Sequence, residues 1–143
     1  MVAVLAQRLV RTICKKCRTK FTPSAAVLKD AGFSQEQLAR AKFMRGKGCN
    51  HCGQSGFRGR MGIHEILMID VKVREMIFAN TPVNEIREYA MDNGMVTLYG
   101  DALEKVVQGF TTIDEVYRVA KRTEQDELAD AAAAAAAKQH AST

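Results

Sequence analysis

Cys14-Lys15-Lys16-Cys17 and Cys49-Asn50-His51-Cys52 hold all four cysteines of the chain. They form two C-x-x-C pairs with 31 residues between them. Two residues between cysteines let both sulfurs of a tight turn face one point. Two such turns supply the four thiolates of a closed tetrahedral zinc site. The pattern points to a structural zinc ion held by Cys14, Cys17, Cys49 and Cys52. Four free buried thiols or two disulfides are the alternatives. The gap is longer than in compact zinc ribbons, so a small folded insert must fit inside the loop that the metal closes.

A length of 143 residues allows one ordinary domain or two small ones. Hydrophobic residues make up 47%, enough for a core, while 6% aromatics and no Trp predict cores of Leu, Ile, Val, Met and Ala. No apolar run approaches the ~20 residues of a membrane span. Residues 1–9 lack the layout of a secretory signal. The expected compartment is the reducing cytoplasm, where paired cysteines bind metal rather than oxidise.

The net charge of +5 conceals an asymmetry. Residues 1–62 carry 13 Lys/Arg against only Asp30 and Glu36, whereas residues 63–143 carry 8 Lys/Arg against 14 Asp/Glu. Four thiolates on Zn²⁺ leave a local charge of about −2, which Lys15, Lys16, Arg18 and Lys47 would offset. The remaining positive charge suits nucleic acid, anionic lipid headgroups or an acidic protein surface.

Along the chain, the apolar run from Val2 to Arg11 reads as a strand turning into Cys14, with a helix as the alternative. Arg8 and Arg11 are candidates to meet a phosphate or a neighbouring subunit, or are simply solvated. Thr22-Pro23 predicts a helix with Pro at its first position, ending near Gly32. Ser34-Gln35-Glu36-Gln37 has the capping-box layout and opens a second helix. Phe33, Leu38, Ala41 and Phe43 can fold back on the first, and Lys42 to Arg45 reads as a short strand. Gly46, Gly48, Gly53, Gly56, Gly59 and Gly62 crowd the second cysteine pair, as tight turns around a metal require. No G-x-x-x-x-G-K-[ST] loop occurs. Ile63 to Ile69 reads as a strand returning to the core.

From Asp70 the period becomes helical. Asp70 caps one helix, and Thr81-Pro82 opens another that ends at Asn93-Gly94. A third runs from about Thr97 to Gln108, stopped by Gly109. Thr112-Ile113-Asp114-Glu115 is a second capping box opening the fourth. The expected fold is mainly α: a zinc-knuckle subdomain with short strands and a helical insert over 14–69, then a four-helix bundle over 70–123. Residues 124–143, with seven consecutive alanines at 131–137, are expected to be a frayed tail.

Several residues invite a catalytic reading and do not sustain it. His51 lies between cysteines that already complete a pair, so it is a rim residue. His64-Glu65 begins like H-E-x-x-H, but no second histidine follows. Met61, Met68, Met76, Met91 and Met95 fit core filling.

The runs Val4-Leu5-Ala6-Gln7-Arg8-Leu9-Val10-Arg11, Gly48-Cys49-x-x-Cys52 and Ser55 through Leu67 (SGFRGRMGIHEIL) carry a resemblance. So do Gly94-Met95-Val96-Thr97-Leu98 and Gly109 through Val116. Together they resemble the C-terminal region of the type II secretion and type IV pilus assembly ATPases, over roughly residues 2–122. One departure is Asp101-Ala102-Leu103, where that family usually has Gly in the middle; Ala at a helix site is harmless or stabilising. The resemblance implies part of a RecA-like, hexameric, cytoplasmic motor peripheral to the inner membrane. It implies neighbouring ATPase subunits and an inner-membrane platform protein as partners. ATP and Mg²⁺ belong to the full-length family protein; the nucleotide motifs lie upstream of this region, so the chain alone is expected not to turn over ATP. Residues 1–13 would be the end of the ATPase core and the zinc knuckles a protrusion on it. The competing readings are a zinc-dependent nucleic-acid-binding module and a stand-alone protein adaptor. Nucleic acid is not expected, because Phe21, Phe33, Phe43 and Phe57 offer no interleaved stacking platform.

Overall fold

The computed structural model describes residues 2–120. Its frame is a long antiparallel ribbon of β1 (Val2–Ile13) and β4 (Phe57–Ile69). The register runs from Val2 opposite Ile69 to Arg11 opposite Arg60, then shifts so that Ile13 meets Phe57. Between these strands the chain makes β2 (Arg18–Lys20), α1 (Ala25–Ala31), α2 (Gln35–Arg40) and β3 (Met44–Gly46). β2 and β3 pair antiparallel into a second, small sheet. After the ribbon come α3 (Val71–Phe78), α4 (Val83–Asp92), α5 (Leu98–Val107) and α6 (Ile113–Val119).

Local chemistry explains most helix ends. Ser34, Asp70, Thr97 and Thr112 each accept from a backbone N–H of the first turn. Ser34 and Gln37 complete a reciprocal capping box. Gly32 closes α1 at φ 83°, in the left-handed region where a side chain is disfavoured. Two expected starts need correction. α1 begins at Ala25 rather than at Pro23, because Ser24 supplies the cap. α4 follows Pro82, which has no side-chain acceptor to offer.

The fold is mixed α/β rather than mainly α. The ribbon is the larger part of the correction: β4 begins at Phe57, six residues before the expected strand. The stretch Phe57-Arg58-Gly59-Arg60 has no alternating apolar pattern, and only its pairing with the end of β1 makes it a strand. The helices after Asp70 are organised by that ribbon. α5 and α6 pack on β1, α5 also packs on β4, and α3 lies against β4 and α4.

Alternation along the strands gives the ribbon two faces. On one, Val10 and Ile63 are fully buried with Tyr99, Ala102, Leu103 and Val106 of α5 and Ile113, Val116 and Val119 of α6. Ala102, at the departure from the family pattern, has no exposure at all and fills this core. On the other face Leu5, Leu9, Ile66 and Met68 stay 45 to 59% exposed.

The insert is tied to the same core. Ala31 joins the buried cluster, with Leu28, Phe33 and Phe43 packed against it. Phe33 and Phe43 meet edge to face, with ring centroids 5.4 Å apart. The Tyr99 hydroxyl donates to the Ala31 carbonyl at 2.6 Å in a buried setting. Arg40 makes a bidentate pair with Glu104 at 2.6 and 2.9 Å. The residues expected to form a frayed tail, 124–143, lie outside the described ones.

Candidate metal centre

Cys14 follows directly on β1, and its amide donates to the Gly56 carbonyl at 2.9 Å. The first pair is thus anchored to the loop that carries the second. Cys49 precedes and Cys52 ends a single 3-10 turn, Asn50–Cys52. Gly53 ends it at φ 60°, and the Gln54 amide returns to the Cys49 carbonyl at 2.9 Å. The Lys47 amide donates to the Cys17 carbonyl at 3.1 Å. Gly46 and Gly56 lie backbone against backbone, so a Cβ on Gly46 would sit 2.1 Å from the Gly56 carbonyl oxygen. That close approach is what the glycine crowding provides.

These loops bring the four expected ligands to one point. The sulfurs of Cys14, Cys17, Cys49 and Cys52 all lie within 4.8 Å of one another. Cys14–Cys49, Cys49–Cys52 and Cys17–Cys52 are 3.8, 3.7 and 3.9 Å apart. A tetrahedron with Zn–S bonds of about 2.3 Å has S–S edges of about 3.8 Å. All four cysteines are free thiols, which sets the disulfide alternative aside. The cluster has the donors and the spacing for a zinc ion, and four sulfurs would close the tetrahedron without an open position for substrate.

Second contacts prepare the sulfurs for a cation. Cys52 Sγ accepts from the amides of Cys49 and Gly56, each at 3.3 Å. Burial works to raise the Cys52 pKa, but those N–H donors outweigh it and hold the thiol at about 6. Cys17 moves the other way, pushed up to about 11 by burial, with the neighbouring thiols adding to the rise. Among the described residues, Lys15, Lys16, Arg18 and Lys47 enter no ion pair.

The other candidates fall elsewhere. His51 is exposed and outside the sulfur cluster, and its carbonyl accepts from Arg58 at 2.6 Å. Partial desolvation, Arg58 and Lys16 lower its pKa. Glu65 accepts from the Leu98 amide at the start of α5 and lies 3.9 Å from Arg87, while the His64 amide donates to Asp101. That pair therefore seats α5 on β4. Met61 packs on the core.

Arg8 and Arg11 turn inward to α6. Arg8 donates to the Val119 carbonyl at 2.9 Å. Glu115, 1% exposed, accepts from the Arg11 amide at 2.8 Å, from the Arg11 guanidinium at 2.9 and 2.8 Å, and from Arg118 at 3.0 and 2.9 Å. Thr112 caps the Glu115 amide as expected, but the Glu115 carboxylate leaves the expected box for Arg11. Burial raises the Glu115 pKa, yet the arginine hydrogen bonds prevail and bring it down to about 2. This clamp was not legible in the sequence, where the only signal was an acid in the first turn of a helix.

Comparison with known proteins adds a second line of evidence. A family model described as type II/IV secretion system protein matches residues 1–118. The type IV pilus assembly ATPase PilB of Thermus thermophilus is 40% identical over 116 residues, which cover 81% of this chain and 13% of that protein. Type II secretion system protein E of Dickeya dadantii is 41% identical over 122 residues, 85% of this chain and 23% of that one. The putative type II secretion system protein E of Escherichia coli is 36% identical over 127 residues, 89% of this chain and 25% of that one. The chain therefore spans at most about a quarter of the length of these curated relatives. No helix among the described residues is long and apolar enough to cross a membrane.

Proposed function

Since the chain belongs to the type II/IV secretion system protein family, we propose that it serves as the zinc-holding C-terminal part of a hexameric ATPase that powers type II secretion or type IV pilus assembly. The observation that carries this reading is the tetrahedral spacing of Cys14, Cys17, Cys49 and Cys52 in a chain of that family. The zinc is structural: within the zinc-binding subdomain of residues 14–69, it fixes the insert between β1 and β4 to the end of the ribbon. Residues 1–13 are the last segment of the ATPase core, and residues 70–123 the helical part that packs beside it. The open apolar face of the ribbon fits a seat on that core.

In this role the chain supplies shape rather than chemistry. ATP and Mg²⁺ are bound by the rest of the motor. Neighbouring subunits and an inner-membrane platform protein are its partners, on the cytoplasmic side and peripheral to the membrane. The test is a graft. Residues 2–120 replace the equivalent region of the Dickeya protein E, and secretion is measured in cells lacking the native gene. The graft is expected to restore secretion, and a Cys14→Ser, Cys49→Ser graft to abolish it. Equal secretion with and without the cysteines overturns the structural role of the metal. ATP turnover by the purified chain at a motor-like rate overturns the division of labour.

A further inference from the structure

We infer that Glu115 is a positioning residue for the metal centre: it holds the Arg11 guanidinium against the Phe57 ring and so keeps the two cysteine pairs together. The inference rests on the zinc reading proposed above. An unbroken run of contacts carries it. The Glu115 carboxylate takes the Arg11 guanidinium at 2.9 and 2.8 Å and the Arg11 amide at 2.8 Å. The same guanidinium lies over the Phe57 ring, 4.3 Å from its centroid. Phe57 opens β4 and follows Gly56 directly. Gly56 bonds to both cysteine pairs. Its amide donates to Cys52 Sγ at 3.3 Å, and its carbonyl accepts from the Cys14 amide at 2.9 Å. A single residue, Phe57, thus separates the buried clamp from the peptide units that tie the pairs to each other.

This end of the ribbon needs outside support. The β1–β4 register shifts between Arg11 and Ile13, just before Cys14. Such a shift interrupts the ladder and bends the strand. The turn between α5 and α6 steadies the β1 side: the Thr111 hydroxyl donates to the Arg11 carbonyl at 2.8 Å, and the Ile13 amide to the Phe110 carbonyl at 2.9 Å. Glu115 reaches further, across Arg11 to the first residue of β4. The planar guanidinium can be gripped by a carboxylate at its N–H edge while its face stacks on an aromatic ring.

Zinc release requires the pairs to part, because Cys14 and Cys17 follow β1 whereas Cys49 and Cys52 precede β4. Without the carboxylate, the half-exposed Arg11 side chain can leave the ring for water. Phe57 then loses the contact that fixes it, and both Gly56 bonds loosen with it. Groups that directly orient metal ligands change affinity by ~10–100-fold when removed. Glu115 acts one contact further out, so about fivefold, the low end of coupling between distant sites, is expected.

Competition with a chromogenic chelator reads the zinc dissociation constant of wild type, Glu115→Gln, Phe57→Leu and the double variant. Phe57→Leu keeps apolar bulk and removes the ring face. Each single substitution should raise the constant at least about fivefold. The double variant should fall well short of their product, because both act through one contact. Arg11→Lys, which keeps the charge and the backbone bond but loses the fork, replaces Glu115→Gln if that variant folds poorly. Val73→Ala is the control: Val73 is 1% exposed in α3, outside this run of contacts. It lowers stability and should leave the zinc constant within about twofold. A smaller rise in either single variant, effects that multiply in full, or an equal rise in Val73→Ala overturns the inference and leaves the metal reading standing. A wild-type chain that takes up no zinc overturns both.

Discussion

Replacing Glu115 by alanine removes five hydrogen bonds at once from a site that is 1% exposed. The depression of its pKa from 4.5 to about 2 sets the scale. At ~1.4 kcal/mol per pKa unit, the carboxylate is worth about 3 kcal/mol at neutral pH. Breaking a buried pair usually costs ~3–5 kcal/mol. The lower end applies here, because Arg11 and Arg118 remain half-exposed and regain water. Glu115→Gln keeps an acceptor for the Arg11 amide and should cost about half as much. Urea unfolding of the zinc-loaded chain at pH 7 reads this directly. With an m-value near ~2 kcal/mol/M, the alanine midpoint should fall by about 1.5 M. The sign with pH follows from the depressed pKa: the contribution is complete above pH 4.5 and fades as pH drops towards 2. Loss of zinc from the proposed site would also weaken the chain in acid. The difference between wild type and Glu115→Gln isolates the carboxylate, and it should shrink below pH 4.5. An alanine midpoint within about 0.3 M of wild type at an unchanged m-value would refute the clamp.

Two further outcomes test the metal centre. A chelator should lower the melting temperature by at least ~10 °C, because a structural site couples metal binding to folding; an unchanged melting curve removes zinc from the stability of the fold. Gly46→Ala should cost about 1–3 kcal/mol and weaken zinc retention against a competing chelator, since the new Cβ would lie 2.1 Å from the Gly56 carbonyl oxygen; a fully retained zinc affinity would show that the two loops can part without harm.

The sequence by itself picked out the four cysteines that cluster and most of the helix ends. Cys-x-x-Cys, Ser34 with Gln37, Asp70 before α3, Thr97 before α5 and Gly32 after α1 all act within four residues. Their geometry follows from backbone sterics and nearby hydrogen bonds. Tertiary structure alone decided the ribbon and what lies on it. Phe57 to Gly62 has no strand pattern of its own and is extended because the end of β1 lies beside it. Glu115 looks like half of a capping box, yet its partner is Arg11, 104 positions away. Local rules act through neighbours along the chain, whereas these features depend on which distant segments burial brings together.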